Sequence, residues 1–310
     1  MEKEEQIEFL RQAVFDDIFS YIGLSSQSLR RRFLEMVVSP PINRFVTIVT
    51  EFDQKVGEVG LVEAARWFLS QYARQVESHG NESIPREGPL LIVSNHPWYY
   101  DGLAIAANLP RTDLKMVAGN YPIINGLEYF NEHLILTAKD LNSRMLAIRG
   151  AIRQLMEGGS LLIFPTGKVD PDPDVMPGAA ESLQAWSPSI ELFLKKVPQA
   201  QVLVTIVSGV VAPASMHHPL THLKKLPNER QRIAEFVQIC QQALWPKKPF
   251  LVPKVSYARP FTAEEVYRQS ESVDLTQEII ARAQQLLNMH VGHYQLPEWV
   301  PVTEPEVAGG

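Results

Sequence analysis

The chain has 310 residues, of which 45% are hydrophobic and 21% are charged. This composition is typical of folded globular proteins and excludes a disordered chain, and the length allows one large domain with a smaller one beside it. The formal net charge of −6 argues against a general nucleic-acid-binding protein, because binding to a phosphate backbone usually requires a basic face.

Residues 1–80 are predicted to form a small antiparallel bundle of four short helices. Apolar residues recur there at helical spacing, and Pro40 and Pro41 are expected to break the chain between the second and third helices. We interpret the apolar stripes as packing faces rather than as a membrane-facing surface. Arg30, Arg31 and Arg32 are typical of a solvated helix face, and they could also meet anionic lipid headgroups.

Beyond residue 80 the pattern changes to short apolar runs that alternate with helical stretches. The runs occupy residues 90–93, 114–117, 134–136, 161–164, 202–207 and 255–257. The helical stretches occupy residues 102–108, 143–156, 189–196, 228–243 and 276–289. This alternation predicts an α/β domain over residues 81–295, with a mixed, mostly parallel sheet flanked by helices and preceded by the N-terminal helical bundle. Residues 296–310, rich in Pro, Glu and Val, are predicted to form a C-terminal tail.

The N-terminal residues and the single cysteine bear on cellular location. The first residues lack the basic-then-apolar pattern of a signal peptide, and no apolar run reaches the roughly 18 residues of a spanning helix. Cys240 cannot form an internal disulfide or a zinc finger, and we interpret it as a packing residue rather than a nucleophile. These features predict a cytoplasmic protein and restrict any membrane contact to peripheral association.

The sharpest feature is the segment of residues 93–101, which directly follows an apolar strand. Loops that leave the carboxyl ends of strands in α/β sheets commonly hold ligand and catalytic groups. His96 and Asp101 are spaced so that the carboxylate can accept a hydrogen bond from one ring nitrogen and leave the other free as a base. An imidazole with an ordinary pKa of about 6.5 suits proton removal from an alcohol. The alternative is that His96 is a structural turn residue and Asp101 only caps the next helix, although one carboxylate can do both.

A second feature is the segment of residues 161–168, in which an apolar strand runs into a turn that carries a lysine. Pro165 fixes the backbone and Gly167 permits a positive φ, so backbone N–H groups can face a ligand. Lys168 supplies a point charge for phosphate or another anion. The alternative is an ordinary strand-ending turn with a solvated lysine. The segment is not a P-loop, because the earlier glycine and the following Ser or Thr are absent.

Together these segments resemble the lysophospholipid and glycerol-3-phosphate acyltransferase superfamily. Residues 95–101 match its Asn-His-x-x-x-x-Asp signature, and residues 164–168, Phe-Pro-Thr-Gly-Lys, are similar to its Phe-Pro-Glu-Gly-Thr block. The resemblance covers about residues 85–265. A helical bundle ahead of the α/β domain is also similar to the soluble, plastid-type glycerol-3-phosphate acyltransferases.

The resemblance implies acyl transfer from an acyl-CoA or acyl-carrier-protein thioester to a hydroxyl of glycerol 3-phosphate, lysophosphatidate or a related lysolipid. It implies no metal, no further cofactor and no nucleic-acid partner. His96 would be the general base and Asp101 its orienting carboxylate. Backbone N–H groups near Thr166 and Gly167 would receive the oxyanion. The substrate-binding residues would be Asn95, Lys139, Pro165, Thr166, Gly167 and Lys168.

The sequence departs from the family pattern where the acceptor's phosphate would bind. Thr166 stands where many members have glutamate, and Lys168 and Val169 replace the usual Thr-Arg pair. A further block that often ends in an arginine is occupied here by Thr137, Ala138 and Lys139. Lysine neutralises phosphate but lacks the bidentate geometry of a guanidinium, so an acceptor without phosphate stays open.

Two other functions remain open at this point. A lipid-binding or regulatory protein could keep the fold without catalysis; the altered second block favours this, and intact His96 and Asp101 argue against it. A hydrolase could use the same base to activate water on a thioester. No Gly-x-Ser-x-Gly motif supports a serine hydrolase.

Overall fold

The N-terminal region consists of three helices in the computed structural model, which describes residues 3–21, 23, 29–245, 251–269 and 274–297. They are α1 (Lys3–Tyr21), α2 (Leu29–Val59) and α3 (Leu61–Ser70). The prediction of four helices was wrong, because α2 runs through Pro40 and Pro41. Each proline removes the hydrogen bond to the carbonyl four residues earlier. Those carbonyls belong to Met36 and Val37, which are 67% and 55% exposed. Water can therefore donate hydrogen bonds to them.

The described residues contain one eight-stranded sheet. Its strands are β1 (Glu77–His79), β2 (Leu90–Ser94), β3 (Leu114–Gly119), β4 (Leu134–Thr137), β5 (Ser160–Ile163), β6 (Gln201–Ser208), β7 (Lys254–Tyr257) and β8 (Phe261–Thr262). The order is β1-β7-β6-β2-β5-β3-β4, and β8 also pairs with β6. From β6 to β4 all neighbours are parallel, whereas β7 and β8 run antiparallel to β6. The sheet is therefore mixed and mostly parallel, which confirms the predicted fold class.

Helices cover both faces of the sheet. Those that follow α3 are α4 (Asp101–Ala107), α5 (Glu128–Asn131), α6 (Leu141–Met156), α7 (Ala179–Leu183), α8 (Ser189–Lys196), α9 (Pro213–Met216), α10 (Pro227–Leu244), α11 (Ala263–Gln269) and α12 (Leu275–Tyr294). Short 3₁₀ helices span Asn81–Ser83, Ile124–Gly126 and Pro219–Leu223. Strand side chains alternate, so Leu90 and Ile92 pack into the core under α1–α4, whereas Leu91 and Val93 pack under α6–α8 and α12.

The N-terminal helices share a hydrophobic core with one face of the sheet. Phe52 and Phe68 belong to the same cluster of buried residues as Ile92 and Leu203. The strand β1 at 77–79 already pairs with β7. The division at residue 80 stays a prediction, and most of the predicted tail, residues 298–310, lies outside the described residues. Among the helices in the described ranges, none is long and apolar enough to cross a bilayer.

Candidate active site

The carboxyl edge of the parallel strands brings the two predicted segments together. The strands β2 and β5 are neighbours, with Val93 opposite Ile163, so the loops that follow them leave the sheet side by side. The loop after β2 contains Asn95 and His96, and the loop after β5 contains Pro165 to Gly167. Parallel pairing thus places residues about 70 positions apart in sequence at one edge.

His96 and Asp101 are in direct contact across the turn that leads into α4. The His96 Nδ1 atom lies 2.8 Å from the Asp101 Oδ2 atom. The aspartate side chain is 2% exposed and the histidine side chain is 29% exposed. Because Asp101 engages Nδ1, the proton resides there and the other ring nitrogen, Nε2, keeps its lone pair. The geometry is that of an imidazole base oriented by a buried carboxylate.

Several bonds fix the turn between these two residues. Asp101 Oδ2 also accepts a hydrogen bond from the Trp98 N–H at 2.9 Å, and the Asp101 N–H donates to the Trp98 carbonyl at 2.9 Å. Trp98 has a φ of 155°, which residues other than glycine rarely adopt. The His96 ring stacks on Phe164 with centroids 4.2 Å apart. The histidine is therefore held in position by its backbone, its ring face and its Nδ1 atom.

The pKa of His96 lies above its ordinary value of 6.5. Burial acts to lower this pKa, but the charge of Asp101, its hydrogen bond and the charge of Asp170 together outweigh burial. A raised pKa makes the free nitrogen a stronger base and stabilises the imidazolium that forms when it accepts a proton.

Asn95 is buried, and its side chain extends the pairing of β2 with β6. Its Nδ2 donates to the Val207 carbonyl at 2.9 Å, and its Oδ1 accepts from the Val207 N–H at 2.8 Å. Both ends of the amide are thus occupied by backbone, which anchors the loop that carries His96. Its predicted contact with substrate stays a prediction.

The loop after β5 turns sharply at Gly167, whose φ is +63°, as the sequence predicts. The Gly167 N–H donates to the Phe164 carbonyl at 3.0 Å, so this N–H closes a turn and does not face a ligand. The Thr166 hydroxyl lies 2.9 Å from the Lys168 carbonyl and 3.2 Å from Asp170 Oδ2, and its single hydrogen can be donated to either oxygen. Of the two backbone N–H groups expected to face the oxyanion, only that of Thr166 therefore remains a candidate.

The residues at this edge match a protein-family model. Residues 75–190 match the model described as Acyltransferase. The match contains both segments that form the edge. This match confirms the resemblance inferred from the His96 and Phe164 segments.

A curated relative matches the same family. Lysophosphatidylcholine acyltransferase 2 of Rattus norvegicus is 24% identical over 123 residues, which cover 38% of this chain and 23% of the relative. The aligned part is therefore about a quarter of the relative's length. A solved structure, the 1-acyl-sn-glycerophosphate acyltransferase PlsC of Thermotoga maritima, aligns with a TM-score of 0.41 and 13% identity, over 94% of this chain and 98% of that one.

The two lysines predicted to bind phosphate lie at different places along the carboxyl edge of the sheet. Lys168 is exposed and follows β5, the neighbour of the His96 strand. Lys139 is also exposed but follows β4, which lies three strands from β2, a lateral separation of about 14 Å. Of these two lysines, Lys168 thus follows the strand that lies nearer to β2.

Sequence reasoning gave no role to Asp170, which braces the His96 loop. Its Oδ2 accepts from the His96 N–H at 2.9 Å, and its own N–H donates to the His96 carbonyl at 2.8 Å. Within the described residues its Oδ1 is buried and has no partner. Burial raises the pKa of Asp170 to about 6, although hydrogen bonds from His96 and Thr166 act against this. The feature of the sequence that could have drawn attention to Asp170 is the run of alternating Asp and Pro at 170–174.

Two further buried side chains hold the same loops. The carboxylate of Asp172 accepts hydrogen bonds from the backbone N–H groups of Gly209, Val210 and Val211, which follow β6. Gln231 on α10 donates to the Pro97 carbonyl at 2.5 Å and to the Asp170 carbonyl at 3.2 Å. These contacts join residues more than thirty positions apart, which no local pattern in the sequence reveals.

Two findings bear on metal binding and on thiol reactivity. Within the described residues, no group of three or more His, Cys, Asp or Glu side chains is placed to hold a metal ion. Burial raises the pKa of the Cys240 thiol to about 12, which disfavours the reactive thiolate.

Glu235 on α10 is a buried acid beside the His96 turn. It is 3% exposed and lines a cavity of about 50 Å³ together with Trp98 and Arg232. Both of its carboxyl oxygens lack a hydrogen-bond partner within the described residues. Burial, reinforced by the charge of Asp101, raises its pKa well above the ordinary value of 4.5. Burial therefore favours the protonated form of this side chain.

This protonation predicts a pH-dependent stability difference between the wild type and Glu235→Gln. Above its ordinary pKa of 4.5 the unfolded chain releases the proton of Glu235 while the folded protein keeps it. Stability then falls as pH rises toward the folded pKa, by up to about 1.4 kcal/mol per pH unit. Glutamine does not titrate, so the free energy of unfolding of the variant minus that of the wild type should grow as pH rises from the ordinary pKa of 4.5 toward the folded pKa. Urea unfolding at a series of pH values measures this, and a constant difference would show that Glu235 is ionised when folded.

Proposed function

We propose that this protein is a glycerolipid acyltransferase that uses His96 as its general base. The observation that carries the proposal is the contact between His96 Nδ1 and buried Asp101 at 2.8 Å, within the segment that matches the acyltransferase family. The ring stays partly exposed at the carboxyl edge, where a substrate hydroxyl can reach Nε2. Activity, donor and acceptor are all part of this proposal.

The proposed reaction is a direct transfer without a covalent enzyme intermediate. His96 Nε2 removes the proton from the acceptor hydroxyl as its oxygen attacks the thioester carbonyl carbon. Asp101 holds the ring and stabilises the resulting imidazolium. The tetrahedral intermediate collapses with cleavage of the carbon–sulfur bond, and the imidazolium returns its proton to the leaving thiolate. One ester and one thiol are formed for each thioester consumed.

The loop after β5 is proposed to bind the charged parts of the substrates. The Thr166 N–H is the candidate donor to the oxyanion, and Pro165 and Gly167 set the backbone that presents it. Lys168 is the candidate partner of an acceptor phosphate, with Lys139 as a more distant one. Thr166 uses its hydroxyl within the loop, so its contribution to substrate binding is assigned to its backbone.

The donor is proposed to be acyl-CoA or an acylated carrier protein, with no other cofactor. The acceptor is glycerol 3-phosphate, lysophosphatidate or a related lysolipid.

A cytoplasmic location stays a prediction from the sequence, and peripheral membrane contact is part of the proposal. It is supported by exposed apolar residues on α2, namely Leu29, Phe33, Met36 and Val37, beside Arg30 and Arg32. Arg31 is 6% exposed and bonds Asp16 and Glu35, so it does not belong to this surface.

An acceptor panel tests the proposal. Purified protein is incubated with labelled acyl-CoA or acyl-carrier protein and with glycerol 3-phosphate, lysophosphatidate or an uncharged lysolipid. Acceptor-dependent ester is the expected product. Free fatty acid formed equally without acceptor would favour a hydrolase, and bound lipid without turnover would favour a lipid-binding protein. Preference for a phosphorylated acceptor that is lost in Lys168→Gln, but not in Lys115→Gln, would assign the phosphate contact.

The pH dependence of the rate should follow the ionisation of His96. The base must be neutral, so kcat/KM is expected to fall as pH decreases through a midpoint above the ordinary histidine value of 6.5. Asp170→Asn keeps an oxygen for the His96 N–H but removes a negative charge that raises the pKa of His96. The midpoint should therefore move to lower pH in this variant. A midpoint that does not move would show that Asp170 braces the loop without affecting the base.

A further inference from the structure

The outer face of α6 combines exposed apolar and basic side chains. Leu141 is 73% exposed, Leu146 is 65% exposed and Met145 is 43% exposed. Arg144, Arg149 and Arg153 are exposed on the same helix. The inner face packs on the sheet through Ala147, Ala151 and Leu155, so this helix cannot turn its apolar residues inward. Large apolar residues grouped at the surface commonly mark an interaction site.

The charged side chains of α6 are all positive, whereas the chain as a whole is acidic. The helix holds three arginines and no Asp or Glu, whereas the whole chain has a formal net charge of −6. In the part of the chain that the structure describes, these arginines form no ion pair. Other surface helices differ, because Arg268 pairs with Glu264 on α11 and Arg282 pairs with Glu278 on α12. Arg149 and Arg153 therefore give α6 a positive outer face that suits an anionic partner, and Arg144 adds a positive charge at the exposed start of the helix.

The start of α6 lies at the same edge of the sheet as His96. The helix follows β4 and begins at Asp140, whose side chain accepts a hydrogen bond from the Ser143 N–H at 2.9 Å and so caps it. Its first turns therefore lie at the carboxyl edge. The exposed apolar and basic residues of α2 lie on the opposite face of the sheet. An ion pair between Arg31 and Asp16 joins α2 to α1. In turn, α1 lines the cavity beside Trp98. Two apolar and basic surfaces thus flank the edge that carries His96.

We propose that α6 docks on the surface of an anionic phospholipid bilayer. Leu141, Met145 and Leu146 enter the boundary between headgroups and acyl chains, while the arginines contact lipid phosphates. Docking turns the carboxyl edge of the sheet toward the membrane, where a lysolipid acceptor would reside. The role of docking in acyl transfer rests on the proposed function, whereas docking itself does not. A bilayer is favoured over an acidic protein because the face exposes large aliphatic side chains among its arginines.

Vesicle binding by the full chain tests this inference. Binding is measured by co-sedimentation with phosphatidylcholine vesicles that contain increasing fractions of phosphatidylglycerol, at low and high salt. Each basic residue near an anionic surface contributes about fivefold in affinity, so R144Q/R149Q/R153Q should weaken binding by about 100-fold. L141S/L146S should weaken it at every salt concentration. The matched control, R74Q/R86Q/R268Q, removes three exposed arginines elsewhere and should bind as the wild type does.

Activity on a short-chain acceptor that is monomeric in water separates docking from catalysis. The α6 variants should keep the wild-type rate on this acceptor and lose rate on acceptor held in vesicles. Absence of turnover by the wild type on the soluble acceptor would contradict the proposed function and leave the vesicle result to decide docking. Wild-type vesicle affinity in the triple α6 variant would overturn the inference. Loss of rate confined to carrier-protein donors, without loss of vesicle binding, would overturn it in favour of an acidic protein partner.

Discussion

Replacement of His96 with alanine is expected to lower the rate of acyl transfer by a factor of about 10²–10⁴, the contribution typical of a positioned general base. The variant keeps Asp101, the β2–β6 pairing through Asn95 and the loop after β5, so substrate binding should change little. The loss should therefore fall on kcat rather than on KM. Initial rates with the preferred donor and acceptor measure this, and an unchanged kcat would exclude His96 as the base.

His222→Ala provides the matched control for the His96 variant. His222 is an exposed histidine of the 3₁₀ helix Pro219–Leu223, away from the turn that holds Asp101. Its removal should leave kcat and KM unchanged. The midpoint of thermal unfolding is measured for both variants, since a folded His96 variant is required before its loss of rate can be assigned to chemistry.

Asp101→Asn is expected to lower kcat by a factor of about 10³–10⁴, in line with the loss measured for the orienting aspartate of serine proteases. Asp101 Oδ2 accepts hydrogen bonds from both His96 Nδ1 and the Trp98 N–H. An amide group that faces Nδ1 favours the tautomer protonated on Nε2, which leaves no lone pair for the acceptor proton. The amide also lacks the charge that stabilises the imidazolium. A kcat within twofold of the wild type would contradict this role.

Asp113→Asn is the control for loss of a bonded aspartate. Asp113 forms an ion pair with Arg111 and bonds Ser160 at 2.9 Å, before the amino end of β3 and thus at the opposite edge of the sheet from His96. The change should affect stability but not kcat. Comparison of the two variants separates the effect of Asp101 on the base from a general effect of weakening the fold.

Much of the sheet could be predicted because its longer strands are apolar, and the central strands β2, β5 and β6 are buried on both faces. All six predicted runs coincide with strands, and the five predicted helical stretches coincide with helices. The strands β1 and β8 were missed, because they contain only 3 and 2 residues, which is too few for a recognisable pattern. They pair because β7 and β6 offer them a backbone edge, which is a tertiary effect.

The helix through Pro40 and Pro41 shows where local rules fail. Proline disfavours a helix interior, so the sequence indicated a break. Packing of α2 on α1, α3 and α10 supports the helix on both sides of the prolines, and the exposed carbonyl side of that turn is open to water. Tertiary contacts of this kind override a local preference and cannot be read from spacing alone.

The contacts of the candidate site are also of two kinds, local and distant in sequence, and only the local ones could be predicted. His96 and Asp101 could be paired from the sequence because five residues of one turn separate them. The use of the Gly167 N–H within its own turn was not predicted, since the positive φ of glycine does not indicate which way its N–H points. The brace by Asp170 and the buried acid Glu235 depend on loops and a helix that meet only in the folded chain.

The most direct test of the central claim is the stoichiometry of ester formation against thiol release from a labelled thioester donor. The proposed mechanism predicts one acyl ester for each free thiol, only in the presence of acceptor, and formation of both products about 10²–10⁴-fold more slowly with His96→Ala. Thiol release without ester, or ester formation that persists at the wild-type rate in the His96 variant, would contradict acyl transfer by this residue.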